Sequence, residues 1–377
     1  MNTIYDEGGA MKAHVPSAKK VRNGKIEFLR FLFSIIIVIH HSRSFLGDDI
    51  SPFLGGSLAV EFFFFVSGYL MMATVEKKNQ VGRPDKIGAE TAGYIYKKWI
   101  SVLPESLIAW IIGFFVICFT EHTGLRDMIV RFIDSVWEPF LFTMTGLGRR
   151  GINGVVWYVS AMLICMALLY PLLRKYQDIM LHLVIPLTSL CILGYFCRNF
   201  SSARGPTNWL GWTYKGVLRA YAELGIGCLL YYFAKKIRSM EYTRLGQWMI
   251  TVAESILYLA AIYFMYLMGA NQHDYFFIAL LAFAVALTFS GSGADSHWFD
   301  HRIIMWLGRF SVPLYFGHTF WATAMKDLTS SGTSITIRMA IYISISCITA
   351  LLVMWLANII RKFGPTVLRK IKEHLIA

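Results

Sequence analysis

Arg30 and His41 lie eleven positions apart within one apolar run, Ile26 to Leu46 (IEFLRFLFSIIIVIHHSRSFL). An ionisable side chain in a membrane-length apolar segment is costly unless it faces a wet or protein-lined interior, so it marks a candidate site. On a helix, positions with this separation return to nearly the same face and stand about 16 Å apart along the axis. The spacing predicts a guanidinium near one membrane surface and an imidazole near mid-depth, looking into a single buried passage. Glu27 and Ser34 fall on the same stripe. A guanidinium recognises anions, and an imidazole moves protons near neutral pH. His40 points about 100° away from its neighbour. Register with Arg30 and Ser34 favours His41 as the working imidazole, and His40 stands as the alternative.

Other residues extend this chemistry. Glu61 lies in GGSLAVEFFFFVSGYLM, beside a row of phenylalanines where an unpaired carboxylate is expensive. It is expected at a depth similar to His41. Placed behind the imidazole, it would fix the tautomer and raise the basicity; the competing expectation is an ion pair with a structural arginine such as Arg219. Lys97 and Lys98 precede Pro104 in YIYKKWISVLPESL and suit capture of a phosphorylated ligand by point charges. Ser311, Tyr315 and His318 share one helical face in LGRFSVPLYFGHTFW, with His318 on the outer half. The segment DSHWFDH (Asp295, His297, Asp300, His301) has ligand types at short spacing but reads as a connector, and no metal site is expected.

The elements that must hold these residues are membrane helices. The chain has 377 residues, 56% hydrophobic and 15% aromatic, with a mean hydropathy of +0.52. Charged residues make up 16% of the chain, against about 25% in soluble domains. The apolar residues gather in runs near the length that crosses a bilayer core. The expected fold is an all-α, polytopic membrane helix bundle of about ten transmembrane helices, near 26–46, 55–75, 101–120, 152–173, 178–197, 216–234, 248–268, 274–291, 303–324 and 336–360. Residues 1–24 are expected to be a disordered N-terminus, 25–363 the membrane domain, and 364–377 a basic amphipathic tail. Residues 121–151 form a long connection whose half-apolar middle suits an interfacial or re-entrant helix.

The net charge of +13 comes largely from Lys and Arg flanking apolar runs. That is the pattern of topology determinants, so no nucleic-acid partner is expected. The basic segments at 19–25, 77–98, 174–175, 235–244 and 361–372 fall on one side if the spans number ten. That side, with both termini, is expected to be cytoplasmic. The six cysteines lie mostly within apolar runs without a CxxC pair and read as small core residues. The first apolar run lacks a small-residue cleavage site and is expected to remain as a signal anchor.

Taken in order, these motifs resemble acyltransferase family 3, the integral-membrane bacterial O-acyltransferases of surface glycans. Arg30 and His41 match its Arg, ten residues, His element. Glu61 to Gly68 (EFFFFVSG) matches its acidic residue followed by FFxxSG. Lys97 to Pro104 resembles its basic cluster before a proline, and Gly308 to His318 (GRFSVPLYFGH) its GxxSYxxYLxxH element; Arg219 to Gly227 is a weaker echo. The chain departs from the family at Ser101, where an Arg is usual, at Lys97 and Lys98, which replace Arg, and at Met162, where many members carry Glu. Val312 and Pro313 interrupt the last element.

The resemblance implies transfer of an acyl group, commonly acetyl, from cytoplasmic acyl-CoA to a hydroxyl of a glycan or its lipid-linked precursor. The setting would be the bacterial cytoplasmic membrane. Arg30, Lys97 and Lys98 would hold the CoA. His41, oriented by Glu61, would act as general base, with a transient acyl-His as the competing mechanism. Tyr315, Ser311 or Tyr158 would stabilise the oxyanion, and Trp157, Trp209, Trp212 and Asn153 would meet the sugar. Two further readings remain: a transporter or flippase of a small anionic or glycolipid substrate, and a non-catalytic scaffold of the same fold.

Overall fold

A computed structural model describes residues 23–147, 151–295, 297–330 and 332–376, with the side chains of 365–376 left out. The expected disordered N-terminus falls almost wholly outside these residues. Among them the structure is helical, without a β-strand. Apolar segments in a bilayer must satisfy every backbone N–H and C=O internally, and a helix does this within one segment.

Helix α1 spans Gly24–His41, with the Asn23 side chain accepting the Ile26 N–H at 3.2 Å, a standard N-cap. A short α2, Arg43–Leu46, follows. Then come α3 (Ala59–Val81), α4 (Ile87–Thr120), α5 (Leu125–Ser135), α6 (Trp157–Ile179), α7 (Ile185–Phe200), α8 (Lys215–Arg238), α9 (Arg244–Leu267), α10 (Asp274–Ser290), α11 (Arg302–Gly317), α12 (Thr319–Leu328) and α13 (Ile335–Ile376). Among the described residues, seven helical stretches are long and apolar enough to cross a membrane, and α10 is a shorter apolar helix.

Side-chain contacts give the directions. One of the seven, 154–200, folds back on itself: Tyr176 leaves helical geometry and a π-helical turn, Met180–Val184, follows. Cys165 bonds Val217 and Gln177 bonds Tyr232, so α6 runs parallel to α8. Ser189 bonds Ala222 and Phe196 lies under Lys215, so α7 runs antiparallel to it. The α11–α12 leg is broken at His318, whose backbone (φ −108°, ψ −34°) ends one helix and starts the next. Counting α6 and α7 separately and α11–α12 as one leg, ten helical legs alternate in direction. The fold is the expected all-α membrane bundle, a multi-pass architecture.

The limits of several elements differ from expectation. Helix α4 begins at Ile87 rather than near 101 and carries Pro104 in its interior, so Lys97 and Lys98 sit inside the helix instead of in a loop. Propensity in IGAETAGYIY extends the helix beyond the apolar run. Helix α13 continues without a break through Gly364 to Ile376. In the 121–151 connection α5 is a short helix with Leu125, Ile129, Phe132 and Ile133 exposed, as an interfacial helix would be.

Two glycine contacts set the site. A Cβ at Gly68 would lie 3.0 Å from the Gly227 Cα, so α3 and α8 cross with their backbones nearly touching. A Cβ at Gly308 would collide with the Glu27 side chain, 2.5 Å from its Cβ, so α11 lies tightly along α1. The first contact brings Glu61 against α8. The second carries Ser311, Tyr315 and His318 alongside the Arg30–His41 stripe.

Candidate active site

His40 and His41 close α1 and diverge as helical geometry requires. His40 is buried, its Nδ1 2.7 Å from the Phe53 carbonyl and its ring against Gly56, a packing role. His41 lines a cavity of about 430 Å³ together with Trp157, Arg204, Arg219, Tyr315 and Thr319.

The hydrogen bonds of the second pair of imidazoles fix their tautomers. His41 Nδ1 is 2.9 Å from the Ile37 carbonyl, and His318 Nδ1 is 3.0 Å from the Leu314 carbonyl. A carbonyl oxygen only accepts, so each Nδ1 carries a proton and each Nε2 is bare in the neutral ring. His318 Nε2 lies 3.3 Å from His41 Nδ1 and accepts a second share of that N–H. The arrangement keeps His41 Nε2 as its basic nitrogen. His318 is able to stand there because the α11 helix breaks at it.

Glu61 does not stand behind His41, contrary to the expectation from its depth. It pairs with Arg219 Nη2, while Arg219 Nε donates to Glu223 at 3.0 Å. All three side chains are fully enclosed, at 0–1% exposure. The α3–α8 contact at Gly68 and Gly227 turns Glu61 toward α8. The competing expectation, a pair with Arg219, describes the geometry. Arg219 reaches the His41 cavity, with its guanidinium 5.4 Å over the Trp157 ring. Glu61 thus orients the cation of the site, and His318 occupies the place assigned to Glu61.

A second cavity, of about 210 Å³, is lined by Arg30, Ser34, Ser67, Lys98, Ser101, Tyr158, Ser311 and Tyr315, among others. Tyr315 belongs to both cavities, and its hydroxyl donates to the Val155 carbonyl at 2.7 Å. The expected single passage is therefore two chambers meeting at one tyrosine. Ser311 Oγ donates back to Gly308 within its own helix at 2.8 Å. Tyr158 Oη lies 3.3 Å from Ser67 Oγ and 3.5 Å from Met162 Sδ, so the methionine at the departing position packs against a chamber-lining hydroxyl.

The basic pair divides. Lys98 lines the second chamber, its Nζ 5.8 Å from the Tyr94 ring centre, whereas Lys97 is exposed and borders neither chamber. Adjacent residues on a helix point about 100° apart, and α4 extends through both. Arg30 lies 3.7 Å from Glu27. Lys97 is thus not brought to the site with Arg30 and Lys98.

At the far end, Trp157 is buried in the His41 chamber wall, while Trp209 and Trp212 are exposed on the 201–214 loop. Asn153 is structural: its amide donates to the Phe316 carbonyl at 2.5 Å and it receives the Thr319 hydroxyl. Glu138, outside the spanning helices, accepts the N–H groups of Ile152 and Asn153 at 2.6 and 2.5 Å. Burial pushes its carboxyl up to about 8, against the pull of those two N–H groups. Of the DSHWFDH residues, Asp295 bonds Lys25 at 2.8 Å and His301 caps α11. Among the described residues no cluster of metal-ligating side chains forms.

Sequence reasoning passed over Arg204 and Thr319, both in the His41 chamber wall. Arg204 pairs with Asp274 at 2.8 Å, a long-range contact without a local signal. Thr319 had a visible signal, one position after His318.

Compared with known families, residues 23–359 match the family model described as an acyltransferase domain. No curated protein and no solved structure matches.

Proposed function

The chain belongs to the acyltransferase domain family (acyltransferase family 3), and from that premise we propose that it is a membrane O-acyltransferase that carries an acyl group, acetyl by preference, from cytoplasmic acyl-CoA to a hydroxyl of a cell-surface glycan or its lipid-linked precursor. The observation that carries the reading is the pair of chambers meeting at Tyr315. One holds the cations Arg30 and Lys98; the other holds an imidazole whose tautomer is fixed.

The donor enters from the end bearing the basic segments, which the positive-inside bias makes cytoplasmic. Arg30 and Lys98 attract its anionic part. The thioester comes to rest at Tyr315, where the chambers meet. The acceptor hydroxyl arrives in the His41 chamber from the opposite end, past Trp157. His41 Nε2 takes the hydroxyl proton as the oxygen attacks the thioester carbonyl. The negative charge that develops on the carbonyl oxygen is met by Arg219, and by Tyr315 once its hydroxyl leaves Val155. Collapse breaks the C–S bond, and the departing thiolate takes the proton from the imidazolium, leaving as the thiol and returning His41 to its neutral form. His318 keeps the basic nitrogen of His41 on the reacting side throughout, and the Glu61–Arg219–Glu223 cluster fixes the cation.

The test is transfer by the full chain in nanodiscs, supplied with acetyl-CoA labelled in the acetyl group and with glycan or lipid-linked saccharide from the same membranes. Label appearing as an ester on a sugar, located by mass spectrometry, is the expected result. Absence of thioester cleavage with every such acceptor, together with saccharide flux in proteoliposomes lacking acyl-CoA, would replace the reading with transport.

A further inference from the structure

Beside the Arg30 chamber, a groove of about 450 Å³ opens between α4, α11 and α13, a size within the range of small-ligand sites. It is walled by residues that the mechanism above does not use: Trp306 and Arg309 from α11, and Asn358 and Arg361 from α13. Arg30, Ser101, Val102 and Val312 belong to both the groove and the chamber, so the two are continuous.

The chemistry of the walls is that of a phosphate site with a stacking surface. Glu27 stands 3.7 Å from Arg30, and the groove itself is lined by three guanidiniums, from Arg30, Arg309 and Arg361, and one carboxylate, Glu105. That carboxylate is already engaged: Arg361 Nη2 reaches Glu105 Oε1 and the Ser101 carbonyl, each at 2.7 Å, which holds the arginine in place and leaves the groove cationic. Arg309 is exposed, its Nε donating to Met305 at 3.2 Å within its own helix. Among the described residues the buried Arg30 Nε has no hydrogen-bond partner, a cost that a bound anion would remove. Trp306 stacks on Phe310 at 5.2 Å and 8°, and with 41% of its surface exposed it presents a ring face for another planar group. Guanidiniums recognise phosphates, and an exposed indole stacks nucleobases.

We infer that this groove binds the phosphate-bearing adenine nucleotide end of the acyl donor, with Trp306, Arg309 and Arg361 as its recognition residues, while the acyl-bearing arm runs past Arg30 into the chamber that ends at Tyr315. The inference rests on the acyl-CoA reading above. It differs from the sequence-based expectation, in which Arg30, Lys97 and Lys98 hold the CoA, by keeping Arg30 and moving the rest of phosphate recognition from the lysines of α4 to α11 and α13.

The experiment measures binding of coenzyme A and of adenosine 3′,5′-bisphosphate, and turnover of acetyl-CoA and S-acetyl-pantetheine, by the full chain in zwitterionic nanodiscs. Arg309→Ala and Trp306→Ala alter exposed side chains at the rim; Arg361→Lys keeps a cation beside Glu105. Arg309→Ala and Trp306→Ala are each expected to weaken both nucleotides about tenfold, or about 1.4 kcal/mol. They should raise KM for acetyl-CoA and leave turnover of S-acetyl-pantetheine unchanged. Arg361→Lys is expected to do the same to a smaller degree. If wild type binds coenzyme A and these variants bind it equally well, the groove assignment falls and the acyl-CoA reading stands. If anionic phospholipid in the nanodisc displaces adenosine 3′,5′-bisphosphate from wild type but not from the variants, the groove is a lipid headgroup site and the assignment also falls. If wild type neither binds coenzyme A nor cleaves its thioester, the acyl-CoA reading fails first and takes this inference with it.

Discussion

The two chambers that meet at Tyr315 are built in opposite ways. In the His41 chamber each chemical group has a fixed partner: His41 is held by Ile37 and His318, Arg219 by Glu61 and Glu223, Tyr315 by Val155. In the Arg30 chamber and its adjoining groove the cations are partly exposed, Arg30 by 26% of its side chain and Arg361 by 39%. Proton transfer tolerates small errors in geometry poorly, so a catalytic group gains from surroundings that lock it. A charged, mobile ligand needs attraction and room more than register. The difference separates where the acyl group is chemically handed over from where its carrier is caught.

The contrast is tested most severely at His41. His41→Ala is expected to lower kcat by about 10²- to 10⁴-fold, the usual worth of a general base. Binding of coenzyme A should stay within a factor of about two, because the carrier is held in the other chamber. Single-turnover kinetics with labelled acetyl-CoA, beside a binding isotherm, read the two separately. A matched loss of binding would merge the chambers into one site.

Arg219 comes next. It is a cation hydrogen-bonded to two enclosed carboxyl groups, so Arg219→Met leaves Glu61 and Glu223 without that partner. Breaking a buried ion pair from one side costs about 3–5 kcal/mol, and the thermal midpoint of the nanodisc-embedded protein should fall accordingly. Glu61→Gln should cost much less, since the Arg219–Glu223 pair survives. Adding Glu61→Gln to Arg219→Met should recover part of the loss, a coupling that a double-mutant cycle measures. Simple additivity would mean that the cluster is not one electrostatic unit.

His318 should matter less than His41 but through kcat. Losing a group that orients an imidazole typically costs about 10- to 100-fold in systems where the imidazole binds a metal, and a similar fall is expected for His318→Ala. His318→Gln can still accept from His41 Nδ1 through its amide oxygen and should recover much of the rate. KM for acetyl-CoA should hold constant in both variants. Equal loss in the two variants, or a shift in KM alone, would make His318 a wall residue rather than the positioning group.

How far the sequence reached follows from the kind of information each feature needs. The bundle was legible because apolar length and basic flanks are local properties, and ten expected spans correspond to ten helical legs. Arg30, His41, Ser311, Tyr315 and His318 were legible as two helical stripes, since spacing within a helix fixes a face. The pairing between stripes was not. Glu61 was placed near His41 by depth, but rotation of α3 is set by the glycine contact with α8, a feature of two sequences read together. Arg361 looked like a topology charge; only α13 packing on α4 shows it holding the Ser101 carbonyl. Helix α4 was drawn too short because hydropathy ends where the membrane does, while helix propensity continues.

The smallest effect expected is also the one that divides neighbours. Lys97 and Lys98 have the same side chain and adjacent positions, and a loop would let both reach a ligand. On α4 they point apart: Lys98 lines the Arg30 chamber and Lys97 is exposed. Removing Lys98 takes one cation from a partly solvated chamber, worth about 0.2–1 kcal/mol where exposed ion pairs have been measured. Lys98→Ala should therefore raise KM for acetyl-CoA by roughly two- to fivefold at low salt, and the effect should shrink as ionic strength rises. Lys97→Ala should leave KM unchanged at every salt concentration. Equal, salt-dependent effects of the two variants would mean that long-range charge at the bundle mouth, rather than the chamber wall, draws the donor in; the division between a binding chamber and a chemical one would then begin at Arg30 instead of at α4.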